Sequence, residues 1–148
     1  MSNLSVELSA DPPIQARPLW AKRDGGPPKT SAKTAQRLCD LVALATAAAF
    51  AVPVGELNAA SRRTPTIAFA RQSAMYLAHV TFGLSYSEVG RGFGRDRTTA
   101  AHACRLIEER RDDPAVDVVL GSLEDACGAL RRRLSASVQV KVQAQVRP

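Results

Sequence analysis

Residues 83–111 read GLSYSEVGRGFGRDRTTAAHACRLIEERR, and the fold class turns on how that run is punctuated. Ser85, with Glu88 three residues later, is the capping-box pattern that opens a helix, and Val89 is its buried contact. Gly90, Gly92 and Gly94 close that short helix. Asp96 or Thr98 opens the next, in which Ala100, Ala103, Cys104 and Ile107 share an inner face while Arg105, Glu108 and Arg110 face out. A short helix, a glycine-rich turn and a helix that begins Arg95, Asp96, Arg97, Thr98, Thr99 have the layout of a helix-turn-helix. In that layout the second helix offers its N-terminal end to the major groove, where side chains reach base edges and backbone N–H groups point at phosphate.

Upstream of this run the chain reads as helices. Leu38, Leu41, Val42, Ala45, Ala49 and Val52 recur at three and four residues, an amphipathic stripe with Thr34 or Ser31 as its cap. Pro53 and Gly55 break it, Val54 to Leu57 makes one turn, and Ser61, Arg62, Arg63, Thr64, Pro65 form a basic loop. Ile67, Ala70, Ala74, Leu77 and Ala78 then give a helix its inner face, with Arg71 and Gln72 in its first turns and an end near Gly83. Downstream, Asp113 caps and Pro114 starts a last helix through Val116, Val119, Leu120, Leu123, Cys127, Leu130 and Leu134.

The two ends differ from this. Residues 1–33 are rich in Pro and Gly and have no apolar period, so they read as a disordered tail around one large side chain, Trp20. Residues 137–148 alternate valine with Gln and Lys at a period of two, the pattern of a strand. With no partner strand in a helical chain, a frayed basic tail is the better reading, and pairing with a second copy is the alternative.

Composition sets the outer limits. The 148 residues are 45% hydrophobic and 5% aromatic, which fits one domain whose core is mainly Ala, Val and Leu and favours packed helices. Twenty Lys and Arg against fourteen Asp and Glu leave a formal charge of +6, which points to polyanionic partners. The longest apolar stretch, Leu41 to Val54, contains Thr46 and Pro53 and falls short of the roughly 20 residues a membrane span needs. No signal-peptide run precedes it. Cys39, Cys104 and Cys127 are odd in number, widely spaced and without a CxxC pair, which suits packed thiols in a reducing cytoplasm.

The basic charge is concentrated. Between Arg62 and Arg111 there are nine arginines and four acids, so this segment carries +5 of the total +6. A solvated helix start with Asp96 as cap would use the same residues as a reading head, and this local basicity weighs against it. Arg can bind guanine in bidentate fashion, Asp can accept from the cytosine amino group, and a Thr methyl can pack on the thymine methyl.

Two runs carry a family resemblance: Ala70, Arg71, Gln72, Ser73, Ala74, Met75, Tyr76, Leu77, and Phe93, Gly94, Arg95, Asp96, Arg97, Thr98, Thr99, Ala100, Ala101, His102, Ala103, Cys104, Arg105. They resemble the C-terminal DNA-binding domain of the bacterial replication initiator DnaA, over about Thr34 to Leu134. The resemblance implies that Arg63 enters the minor groove from the basic loop beside Arg62. It implies that Arg71 and Gln72 grip phosphate, and that Arg95, Asp96, Thr98 and Thr99 contact bases and adjacent backbone. His102 matches a family histidine, and a packed or capping role fits it equally.

Departures accompany the match. One glycine stands where the family has two, Arg97 replaces a base-reading histidine, and His79, Tyr86 and Ser87 replace the usual Lys, Leu and Pro. The ATPase motor's G-x-x-x-x-G-K-[ST] phosphate loop does not occur. The chain therefore reads as the origin-reading domain without its motor.

The resulting expectation is an all-α protein of about five helices, a bundle containing a helix-turn-helix over residues 34–136, between a disordered 1–33 and a basic tail 137–148. It is expected to bind double-stranded DNA in a sequence-specific way, regulating transcription or modulating replication initiation at initiator-box-like sites in the cytoplasm, at the nucleoid. The expected DNA-binding residues are Arg62, Arg63, Arg71, Gln72, Arg95, Asp96, Arg97, Thr98, Thr99 and His102. No catalytic group, metal, cofactor or membrane is expected. His102 and Cys104 point to different faces of their helix and cannot form a nucleophile–base pair. A protein-interaction module that kept the fold but lost specific DNA binding is the alternative, with a homodimer or protein partner held by the last helix and tail.

Overall fold

The computed structural model describes residues 30–59 and 64–145. Within them the chain forms six helices: α1 (Ala32–Phe50), α2 (Val54–Asn58), α3 (Pro65–Phe82), α4 (Tyr86–Gly92), α5 (Arg97–Arg110) and α6 (Pro114–Gln145). The expected all-α bundle is what the chain adopts. The expected disordered tail over 1–33, and with it Trp20, lies outside the described residues as far as residue 29, and helix begins at Ala32.

Five of the six helices start where a side chain can take up an orphan amide, and the short α2 starts after Pro53 without one. Ser31 accepts from the Thr34 N–H at 3.2 Å, and Thr64 accepts from that of Ile67 at 3.4 Å ahead of Pro65. Ser85 and Glu88 close a full capping box, with the Ser85 N–H donating to the Glu88 carboxylate at 2.7 Å and the Glu88 N–H to the Ser85 hydroxyl at 3.2 Å. The Asp113 carboxylate accepts from Ala115 at 2.9 Å beside Pro114. Two helices end in left-handed caps, α3 at Gly83 (φ 67°) and α1 at Ala51 (φ 53°), where a glycine would be the unstrained choice.

The core forms around α3, which is buried over Ala70 to Ala78 on nearly every side. Val42 and Cys39 of α1, Leu57 of α2, Val89 of α4, Ile107 of α5 and Leu120 of α6 close over it. In α5 the four residues expected to face inward, Ala100, Ala103, Cys104 and Ile107, are the buried ones. The single turn expected at Val54 is the five-residue α2, and Leu57 within it is fully buried.

The C-terminal end departs from expectation. Residues 137–145 are not a separate tail or a strand but the continuation of α6, which runs 32 residues. Without a neighbouring strand, the backbone groups of this segment can be satisfied within the segment only by a helix. Valine's lower helix propensity costs at most a few tenths of a kcal/mol per residue. The inner face of α6 is also shorter than its apolar spacing suggests. Leu120, Leu123 and Cys127 are buried, whereas Val119 and Leu134 are exposed.

Candidate nucleic-acid interface

The turn between α4 and α5 decides how α5 is presented. Gly90 sits where a Cβ would meet the Arg95 carbonyl oxygen at 2.7 Å, and the Arg95 N–H donates to the Gly90 carbonyl at 2.7 Å, so backbone lies directly on backbone. Gly94 has φ 63°, the left-handed position that reverses the chain, with open space around it. Phe93 is buried at negative φ, so one glycine at the reversal is enough where the DnaA family carries two. Gln36 of α1, which packs against α4 at Gly92, donates to the Gly92 carbonyl at 3.1 Å.

At the start of α5 the Asp96 carboxylate accepts from the Thr99 N–H at 2.6 Å and so caps the helix. That hydrogen bond holds its carboxyl below the usual aspartate range. Arg97, Thr98 and Thr99 follow, all exposed. His102, one turn on and also exposed, lies on the same side as Thr98 and Thr99 by helical spacing. Its Nδ1 faces the Arg105 guanidinium at 3.3 Å. None of these five side chains is used by the core.

Arg71 and Arg95 are placed differently. Arg71 is buried, its Nε donating to the Leu57 carbonyl at 2.7 Å and its Nη2 to the carbonyls of Glu56 at 2.9 Å and Ala59 at 3.1 Å. Burial, and after it the nearby Arg95 charge, lower its pKa from the ordinary arginine value, with Glu56 opposing. Arg95 Nη2 donates to the same Ala59 carbonyl at 2.6 Å. Two guanidinium groups, one from α3 and one from the foot of α5, therefore fasten the end of α2 where the basic loop begins. Arg62 and Arg63 themselves lie outside the described residues. Gln72 is half-buried beside Arg71. Sequence reasoning missed this convergence, because its acceptors are main-chain oxygens and leave no residue signature.

At the far end of α5, Arg111 is held on three sides. It donates to Asp117 at 2.6 Å, to the Tyr76 hydroxyl at 3.0 Å and to Glu124, joining α5, α3 and α6. Burial opposes its charge, but these hydrogen bonds outweigh that and raise its pKa. Burial, with the Glu124 charge second, pushes the Tyr76 hydroxyl up to about 12. Desolvation likewise raises the Cys39 and Cys104 thiols to about 12, which keeps both as unreactive packing groups. Among the described residues no cluster of three His, Cys, Asp or Glu is placed to hold a metal ion, and no helix is long and apolar enough to cross a membrane.

With this geometry in place, comparison with known proteins is specific. The family described as the bacterial DnaA protein helix-turn-helix matches residues 39–107, from the middle of α1 to the buried face of α5. Residues 39–107 are a DnaA-type helix-turn-helix domain. The chromosomal replication initiator protein DnaA of Treponema denticola is 33% identical over 88 residues, which is 58% of this chain and 19% of that protein. DnaA of Sphingopyxis alaskensis is 41% identical over 76 residues, covering 51% and 16% respectively. DnaA of Mesorhizobium japonicum is 54% identical over 50 residues, covering 33% and 10%. The chain thus spans under a fifth of the length of these curated relatives. Among solved structures, a crystal structure of a DNA replication initiation factor superposes with a TM-score of 0.60 at 28% identity, covering 66% of this chain and 30% of that one. A replication initiator DnaA bound to AMPPCP and single-stranded DNA matches with a TM-score of 0.58 at the same identity and coverage.

Proposed function

We propose that this chain binds double-stranded DNA in a sequence-specific manner through its DnaA-type helix-turn-helix. It would act at initiator-box-like sites, as a modulator of replication initiation or a transcription regulator, in the cytoplasm at the nucleoid. The observation that carries the proposal is the exposed first turn of α5, in which Arg97, Thr98 and Thr99 follow a capped start and take no part in the core. Arg97, Thr98, Thr99 and the free edge of Asp96 read base edges in the major groove, and His102 and Gln72 contact adjacent backbone. Arg62 and Arg63 bind from the basic loop. Arg71 contacts phosphate and Arg95 contacts bases and adjacent backbone, and both guanidinium groups also hold the Ala59 carbonyl. The role is binding, not catalysis, and residues 34–136 are the unit that performs it.

A selection from a randomised duplex pool at near-physiological salt, with sequencing of the bound fraction, tests this reading, because salt sets the weight of the phosphate contacts. An enriched motif supports it, and likeness of that motif to the initiator box favours the replication role over independent regulation. Weak binding without enrichment, abolished by salt, would leave the second reading, an interaction module. That reading draws on Val118 and Val119, exposed on α6 at 68% and 41% and available to a protein partner or a second copy.

A further inference from the structure

Charge is divided along α6. Its first seventeen residues, 114–130, contain Asp117, Glu124 and Asp125 and no Lys or Arg, whereas 131–145 contain Arg131, Arg132, Arg133 and Lys141 and no acid. The acidic half is part of the body: Asp117 and Glu124 receive Arg111. The basic half is not. Every residue from Arg131 to Ser137 is exposed, and the contact that ties this stretch down is the Arg131 guanidinium donating to the Thr81 carbonyl of α3 at 3.1 Å.

Two ordinary explanations for a basic helical segment do not apply. The helix dipole favours cations within the last turn, and the three arginines stand well over two turns from the end of a 32-residue helix. Intrahelical ion pairs need an acid three or four residues away, and none occurs there for Arg131, Arg132 or Arg133.

The position of the segment supplies the rest. Glu124 lies at the Arg111 side chain that Tyr76 also binds, and Arg131 lies at Thr81, so α6 runs beside α3 in the same direction and passes its C-terminal end. Gly83 to Ser85 turn there into α4, the first helix of the helix-turn-helix. The extension therefore leaves the domain beside the turn that joins α3 to α4, the entry to the helix-turn-helix. From Arg131 to Gln145 the helix reaches about 21 Å, the length of about six base pairs.

Resting on the DNA-binding reading above, we infer that the 131–145 extension of α6 is a phosphate-binding arm that lies along duplex flanking the site read by α5. It adds affinity and salt dependence without adding base preference. Self-association through this segment would bring like charges together, whereas duplex DNA offers one negative charge about every 1.7 Å of its axis. The arm lies outside the residues matched by the DnaA helix-turn-helix family.

The test compares the full chain with its Arg132→Ala, Arg133→Ala, Lys141→Ala triple variant. Affinity is measured against salt on two duplexes sharing one central sequence, the first minimal and the second extended by about ten base pairs on each side. The arm predicts that the slope of log K against log salt falls by about 2 to 3 for the variant on the long duplex, at roughly 0.9 per lost phosphate contact. On the short duplex the slope stays the same, and the ranking of bound sequences is unchanged on both. Arg132→Lys with Arg133→Lys keeps the charge and the slope, and far-UV helicity checks that α6 persists. Equal slopes for wild type and triple variant on the long duplex overturn the arm while leaving the DNA-binding reading standing. Wild type that binds neither duplex overturns both. Loss of a sedimenting dimer in the triple variant, with DNA affinity intact, assigns the segment to a second copy and also overturns the arm.

Discussion

The two ends of α5 carry the same kind of residue in opposite conditions. At its C-terminal end Arg111 is enclosed by Tyr76, Asp117 and Glu124, and each of its interactions serves the fold. At its N-terminal end Arg97 is exposed behind an aspartate cap, followed by two exposed threonines. The capped end keeps its side chains clear of the core, while the anchored end fixes the helix against α3 and α6. A reading helix needs both, since a group can meet a ligand with accuracy only when the element bearing it is held elsewhere. Arg71 and Arg95 show an intermediate condition, in which a cation serves the fold by holding the main chain at Ala59.

The contrast is broken most severely at the turn that sets the direction of α5. Gly90→Ala forces a methyl against the Arg95 and Asp96 carbonyls, which as main-chain atoms cannot swing aside. Unfolding in urea should show a loss of about 3 kcal/mol, at the upper end for overpacking, with DNA binding lost in parallel. Next is the anchored end: Arg111→Ala leaves Asp117 and Glu124 facing each other without their cation and should cost about 2 kcal/mol, discounted from a fully buried pair because the site is partly open. Sequence preference of the bound DNA should survive this change, and altered preference would show that the two ends are not separable.

The open end is sharpened by Asp96→Asn. Asparagine caps about as well as aspartate, so the melting temperature near neutral pH should hold while base preference relaxes roughly tenfold. The sign of the pH effect follows from the Thr99 hydrogen bond. Because the folded carboxyl lies below its unfolded value, its contribution is present above the unfolded pKa and is lost as pH falls through the folded one. The acid limb of the stability profile should therefore be shallower in Asp96→Asn than in wild type. The smallest effect belongs to Ala51, whose left-handed backbone lies far from the comparison. Ala51→Gly should raise stability by roughly 0.5 to 1 kcal/mol and leave DNA affinity unchanged, a control for global stability.

Legibility in the sequence followed the range of the interactions. The Ser85–Glu88 box, the Asp96 cap and the inner face of α5 depend on residues three or four apart, so spacing alone revealed them. The tail beyond residue 136 misled because alternating Val and Gln satisfies a strand pattern, while the backbone, lacking a partner strand, continued the helix already begun at Pro114. Arg71 illustrates a limit of a different kind. Its type and place suggest a phosphate grip, and in the structure its guanidinium also donates to carbonyl oxygens 12 to 15 residues earlier; no side-chain code announces a main-chain acceptor. The Arg111 cluster was hidden for a similar reason, being assembled from three helices.

The placement of the chain's two tyrosines offers a way to watch the Arg111 anchor and the helix-turn-helix at once. Tyr76 lies within the anchor around Arg111, and Tyr86 stacks on His79 where α4 begins. Fluorinated tyrosine incorporated throughout would give one 19F resonance from each. Added duplex would then shift the Tyr86 signal while the Tyr76 signal serves as an internal reference for the intact fold, so that engagement and unfolding are told apart in a single spectrum.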